Sequence, residues 1–290
     1  MDGRWLQSRR SFDIRLQVSQ YSIDGLMEPD STAIPPFDAL IKAENQNFQT
    51  TTRALGATTG LVQDFEELYQ SLADFIRISA ADGYTAEQAK VGGHALLLLM
   101  KCRGDLLAGC VNLLRGYQGN SLRFLRGAIE ACAFAARMKK HPHLVEVWLK
   151  AVDSDADYKT FREKFSGKNL FPTDDSLLRE LYQSFDHCSQ MIHNSAYSMA
   201  GNFSFRREGT QQHIQFNFFD LPDGPVVAAA LYFTLDTHKR ILTKFSQVLA
   251  DNIKANMTEW QVRFNSVEAK LDFHREKWKT VIPDPRQTAT

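Results

Sequence analysis

Apolar residues recur at helical spacing along most of the chain. Leu61, Phe65, Leu68, Leu72 and Phe75 follow one another at intervals of four and three, which places them on one face of a helix with 3.6 residues per turn. Ala81-Asp82-Gly83 closes that segment. Thr85-Ala-Glu-Gln88 then has the form of a capping box, in which the threonine and glutamine side chains each satisfy a free backbone amide. The pattern predicts a second helix running from there through Ala95–Met100 and Leu106–Leu114 to Gly116. Gly92, Gly93, Gly104 and Gly109 weaken it by roughly 1 kcal/mol each relative to alanine, so their expected role is to let another helix come close.

Ser121–Lys140 is apolar or small on nearly every side. Leu122, Leu125, Ile129, Cys132 and Ala136 form its stripe, and Ala128, Ala131, Ala133 and Ala135 widen it. A helix with so little polar surface belongs inside a helical protein. It nevertheless carries Arg123, Arg126 and Glu130, and buried charge must be paired, so a polar cluster is expected at the centre of the molecule. Gly119-Asn120-Ser121 offers an N-cap, and Lys139-Lys140-His141-Pro142 ends the helix with cations where its dipole favours them. Pro142 opens a short helix through Leu149, and Asp153–Asn169 reads as a partly helical surface excursion.

Asp174-Asp175-Ser176 begins another long helix, with Leu178, Leu181, Phe185, Cys188 and Ile192 as its stripe and Ser189 and His193 on its flank. After Gly201 the period changes from 3.6 to 2. Phe203 and Phe205, then Ile214, Phe216 and Phe218, alternate with polar neighbours around Glu208-Gly209-Thr210, the signature of a β-hairpin near 202–219. A helix follows from Val226 to about Ile253. A last one spans Thr258–Lys279, with Trp260, Phe264, Val267, Leu271, His274 and Trp278 at spacings of four and three, a narrow seam three heptads long.

The expected fold is therefore all-α, a multi-helix bundle with one small β-hairpin insertion. Residues 1–57, with Pro29, Pro35 and Pro36, read as a loosely ordered arm holding one short element. Residues 58–253 form the helical core, and 258–290 an amphipathic helix with a disordered tail. Left in water, two tryptophans on one side of a charged helix are costly. Trp260, Phe264, Leu271 and Trp278 are accordingly either packed on the same chain or the contact of a homodimer or partner.

Lysine plus arginine equals aspartate plus glutamate at 34 each, so no global charge draws nucleic acid or an anionic membrane. Between Arg115 and Lys140, however, six basic residues face one acid. No apolar run approaches the roughly 20 residues of a membrane span, and Arg4, Arg9, Arg10 and Arg15 are not followed by a signal-peptide core. Four cysteines without CxxC spacing read as buried, reduced thiols of a cytoplasmic protein. His141-Pro-His143 lacks a third ligand, and no phosphate-binding glycine loop or nucleophile elbow is present. No metal or cofactor is expected.

One constellation carries candidate chemistry. Arg123, Arg126 and Glu130 on one helix, with Ser189, His193 and Asn194 on another, would meet if the helices pack antiparallel. Histidine transfers protons near neutral pH and arginine holds phosphate. The same residues serve equally well as a structural ion pair and a hydrogen-bonded interior histidine.

The run LLRGYQGNSLRFLRGAIEACAFAARMKKHPHLVEVWL, followed by DHCSQMIHNS, resembles a largely uncharacterised group of bacterial helical proteins. In that group an Arg-x-x-x-Glu helix (here Arg126/Glu130), a Trp-Leu ending (Trp148/Leu149) and a later Ser-x-x-x-His (Ser189/His193) recur. The group is similar to the HEPN helical nucleases and abortive-infection proteins. The resemblance covers roughly Leu106–Phe219. It implies RNA as substrate or ligand, a defence or toxin–antitoxin setting, His193 as acid/base with Arg126 and Glu130, and Arg123, Ser189 and Asn194 as substrate contacts. The sequence departs from that family where Cys188 and Ser189 replace the arginine that precedes its histidine, leaving a degenerate ribonuclease motif. Two rival expectations are a non-catalytic interaction or oligomerisation module and a small-ligand sensor.

Overall fold

The computed structural model describes residues 16–18, 37–79, 82–192, 203–208, 211–216, 224–253 and 257–279. Ten helices carry the fold among them: α1 (Phe37–Leu55), α2 (Gly60–Asp74), α3 (Ala86–Arg115), α4 (Gln118–Lys140), α5 (Leu144–Lys150), α6 (Asp155–Lys164), α7 (Gly167–Leu170), α8 (Ser176–Ile192), α9 (Gly224–Val248) and α10 (Thr258–Lys279). The middle is made by α3, α4 and α9. Helix α4 packs most extensively on α3 and α8 and is closed from a third side by α9, while α2 lies on α3 and α10 on α2.

The predicted capping box starts α3. Thr85 Oγ1 accepts from the Gln88 amide at 3.2 Å, and Gln88 Oε1 accepts from the Thr85 amide at 3.0 Å. Thirty residues later Gly116 ends the helix in the left-handed region, φ 94°, where a side chain would be strained. The chain turns so tightly there that α4 begins at Gln118, three residues before the expected cap. Ser121 is instead a buried interior residue of α4. It faces Gly109 of α3, where an added Cβ would lie 3.4 Å from Phe124 Cβ and 3.5 Å from the Ser121 carbonyl. A Cβ at Gly109 would make only ordinary van der Waals contact there. Gly92 is tighter, because a Cβ there would fall 2.5 Å from the Asn252 amide nitrogen. Gly104 has open space around it and Gly93 only an ordinary contact, so neither serves a helix crossing.

Two expected boundaries move. Residues 37–55 form a 19-residue helix tied to the body, with Asn47 donating to the Arg115 carbonyl at 3.3 Å and Tyr117 hydrogen-bonding Glu44. The arm thus contributes a full helix. At the other end, the seam of α10 is used inside the chain. Trp260, Phe264, Val267 and Leu271 are buried in the common core, and Trp260 Nε1 donates to the Leu68 carbonyl at 3.1 Å. Arg263–Glu67 and Lys270–Asp64 ion pairs, both 2.9 Å, flank it. Trp260, Phe264 and Leu271 are hence core residues and not an exposed interface. The Trp278 side chain lies outside the described residues. An apolar seam has the same sequence whether its partner is the same chain or another one, which is why the pattern alone left both open.

Among the described residues of the helical body the β pairing is a single bridge between Ile76 and Ile253, and the hairpin expected near 202–219 is not seen in that body. Backbone pairing elsewhere joins β2 (Phe203–Glu208) to β3 (Gln211–Phe216) antiparallel, Phe203 opposite Phe216, with β1 (Leu16–Val18) parallel to β3. Among the described residues no helix is long and apolar enough to cross a membrane.

Candidate functional site

Helices α4 and α8 run antiparallel, so that Arg126 of α4 lies over Phe185 in the middle of α8 while the last turn of α4 lines one cavity with Leu177 and Leu178 at the start of α8. Ala128, Ile129 and Cys132 on α4, and Leu178, Leu181 and Cys188 on α8, are all buried. Their burial leaves the charged side of α4 at the edge of the seam.

At that edge the Arg126 guanidinium lies 4.8 Å from the centroid of the Phe185 ring, a cation–π contact. Glu130 stands one turn on, 3.6 Å from an Arg126 terminal nitrogen, with both side chains about a third exposed. Arg126 Nε is buried and has no hydrogen-bond partner. The ion pair is thus loose, and the guanidinium keeps donors in hand. Burial raises the Glu130 carboxyl above the usual carboxylate range, against the lowering effects of Arg126 and Lys101. Ser189 sits on the same side of α8, its hydroxyl donating to the Phe185 carbonyl at 2.8 Å.

The structure therefore brings together Arg126, Glu130 and the Phe185–Ser189 turn. It does not bring in Arg123, which is exposed and reaches Asn120 of its own helix at 3.4 Å. His193 and Asn194 lie outside the described residues, and His193 directly follows Ile192, the last described residue of α8.

Sequence reasoning missed two parts of the site. Lys101 and Asp105, paired across one turn of α3, cover Gly127, where an added Cβ would lie 3.2 Å from Lys101 Nζ and 3.3 Å from Asp105 Oδ2. The i,i+4 spacing was visible; the helix it faces was not. The second part is aromatic. Tyr182 is exposed, stacks on Phe185 with centroids 6.3 Å apart and touches Phe171 at 5.3 Å. An exposed ring therefore lies one turn of α8 from the arginine.

The polar cluster expected at the centre is of another kind. Tyr69 Oη and His238 Nδ1 hydrogen-bond at 2.8 Å, both fully buried, and Thr237 Oγ1 reaches Ser184 Oγ at 3.5 Å. These groups are neutral. Burial pushes His238 down to about 3 and Tyr69 well up. All four cysteines are buried and free, and burial raises their thiols, Cys110 and Cys188 to about 12, so none is a nucleophile at neutral pH. Among the described residues no group of three His, Cys, Asp or Glu could hold a metal ion. No family model, curated protein or solved structure matches the chain.

Proposed function

We propose that this chain is a HEPN-like helical protein that binds single-stranded RNA along the α4–α8 edge, in a defence or toxin–antitoxin setting. The observation that carries the reading is Arg126: a half-buried guanidinium over the Phe185 ring, with a loose carboxylate partner and an unpartnered Nε. Arginine in that state has donors to spare for phosphate oxygens. Tyr182 beside it offers a face on which a base can stack, and a cation next to a stacking ring is the arrangement by which proteins hold single strands without reading sequence. In this reading Glu130 orients Arg126, Ser189 lines the strand's path, and His193 with Asn194 follow at the end of α8. With no arginine on α8 ahead of His193 within two helical turns, binding is the primary activity and cleavage would recruit Arg126 across the seam.

A short single-stranded RNA, titrated by fluorescence anisotropy, tests this. Arg126→Ala should weaken binding about tenfold, as loss of one charge-assisted contact does, and should flatten the salt dependence. Equal affinity of wild type and variant would sink the proposal. If the wild type also shortens the RNA, His193→Ala should stop that and leave affinity in place.

A further inference from the structure

The opposite end of α4 holds a cationic feature that RNA binding at Arg126 does not use. A cavity of about 520 Å³ opens between the last turn of α4, the segment leading into α8, the first turn of α8 and the end of α9. Its charged lining comprises Arg137, Lys139, Lys140, His141 and Lys244 against Asp174 and Asp175. Most of that charge is already matched. Lys140 holds Asp174 at 3.2 Å, Lys139 turns to Asp251 at 2.5 Å, and the largely buried Lys244 is bound to Asp175. Asp175 also caps α8, accepting from the Leu178 amide at 3.0 Å. Burial alone would raise its carboxyl, but Lys244 and the α8 amides outweigh that and hold it below the usual range.

Arg137 is left over. No carboxylate among the described residues pairs with it, and its Nε is buried without a hydrogen-bond partner. Cations at a helix C-terminus are ordinarily there for the dipole, and Lys139 and Lys140 fit that account with their heads in solvent-exposed ion pairs. A partly desolvated guanidinium facing a cavity does not, because a buried donor without an acceptor is a cost. Burial lowers the Arg137 pKa accordingly.

We propose that this cavity binds an oxoanion of the phosphate type, gripped by the Arg137 fork with Lys140 and Lys244 beside it. The planar guanidinium matches two oxygens of such a group. Ala136, Leu170, Pro172, Leu178 and Val248 supply an apolar wall, and the volume falls in the range of sites that take a small organic molecule, so a phosphate carrying an organic body fits. The phosphate could belong to a free metabolite or to an RNA strand. Arg137 lies eleven residues from Arg126, three turns on and therefore on the same face, about 16 Å along the axis.

Calorimetric titration of the full-length protein with inorganic pyrophosphate, and separately with a short single-stranded RNA, tests the site. Pyrophosphate should bind saturably. Arg137→Ala should weaken that binding about tenfold or more, and Arg137→Lys should fall between. Unaltered RNA affinity in Arg137→Ala assigns the site to a small phosphorylated ligand, and a parallel loss of RNA affinity assigns it to the strand. Pyrophosphate binding that is equal in wild type, Arg137→Ala and Arg137→Lys, or absent from the wild type, overturns the proposal. Neither result depends on the RNA reading, which fails or stands with Arg126→Ala alone.

Discussion

Tyr69 and His238 lie fully buried in the middle of the bundle and hydrogen-bond at 2.8 Å, whereas Arg126 and Glu130 stand a third exposed at the α4–α8 edge, 3.6 Å apart. The first pair is neutral and directly hydrogen-bonded, with the far ring nitrogen of His238 buried and unpartnered; the second is charged and loosely matched. Desolvation explains the division. Taking an ion into the interior costs several kcal/mol even when it is paired, and a neutral hydroxyl–imidazole bond avoids most of that. The bundle therefore keeps this inner polar bond for structure and the Arg126–Glu130 charges where water, or a ligand, can reach them. Substitutions at the two places should accordingly register in different measurements.

The largest effect is expected at the centre. His238→Ala removes a fully buried ring and leaves the Tyr69 hydroxyl without its partner, so chemical denaturation should show a loss of about 3 kcal/mol, combining cavity and orphaned hydrogen bond. Tyr69→Phe keeps the ring and should cost about 1–2 kcal/mol. RNA affinity, measured on the folded fraction, should stay put in both. A stable His238→Ala protein that has lost RNA binding would erase the distinction between centre and edge.

Next in size is a pH effect. The native His238 titrates near 3 because burial disfavours its cation, against about 6.5 in the unfolded chain. Between those values the unfolded state holds a proton that the native state lacks. Stability should therefore fall as pH drops below about 6.5, by up to roughly 1.4 kcal/mol per pH unit from this one group. Carboxylates add their own slope at lower pH, so the diagnostic quantity is the difference between wild type and His238→Gln in denaturation midpoint from pH 7 to 5. A wild type no more acid-sensitive than the variant would mean that His238 is hydrated or charged in the native state.

How much of this could be read from the sequence follows the range of the interactions. The Thr85 box is local and was legible to the residue. The stripes of α2, α4, α8 and α10 were legible as apolar faces, because period alone reveals them. What each face meets was not, and so the α10 seam stayed undecided between core and interface. Ser121 looked like a cap because serine often is one; the left-handed turn at Gly116 moved the helix start upstream and buried it. Helix α1 hid behind prolines that all precede it. The Tyr69–His238 bond joins residues 169 positions apart, and no spacing rule reports it. At the edge, Arg126 and Glu130 were visible as an i,i+4 pair, but their exposure, the Phe185 ring beneath them and the Tyr182 face beside them come only from the packing of α4 on α8.

Smaller again is the change expected from Arg126→Lys. Charge is kept, while the fork over Phe185 is lost. Anisotropy should show RNA affinity reduced by a few-fold, about 0.5–1 kcal/mol, with the salt dependence retained. The melting temperature should barely move, since the Arg126–Glu130 contact is long and part-exposed. Full affinity in the lysine variant would make Arg126 a point charge and remove the reason to single out its planar geometry.

The smallest effect, and the one that separates orientation from chemistry, belongs to Glu130. Burial holds its carboxyl above the ordinary range, so its ionised form is disfavoured in the native state relative to the unfolded one. The native state then binds more proton than the unfolded chain between the two pKa values, and stability declines slightly as pH rises through that window. Glu130→Gln removes this cost and keeps an acceptor for Arg126. Its stability at pH 7 should thus match or exceed wild type, within about 0.5 kcal/mol. RNA affinity should hold or improve, because one negative charge beside the phosphate path is gone. A marked drop in affinity with stability intact would show that orienting Arg126 needs the negative charge of Glu130 and not merely an acceptor at that position.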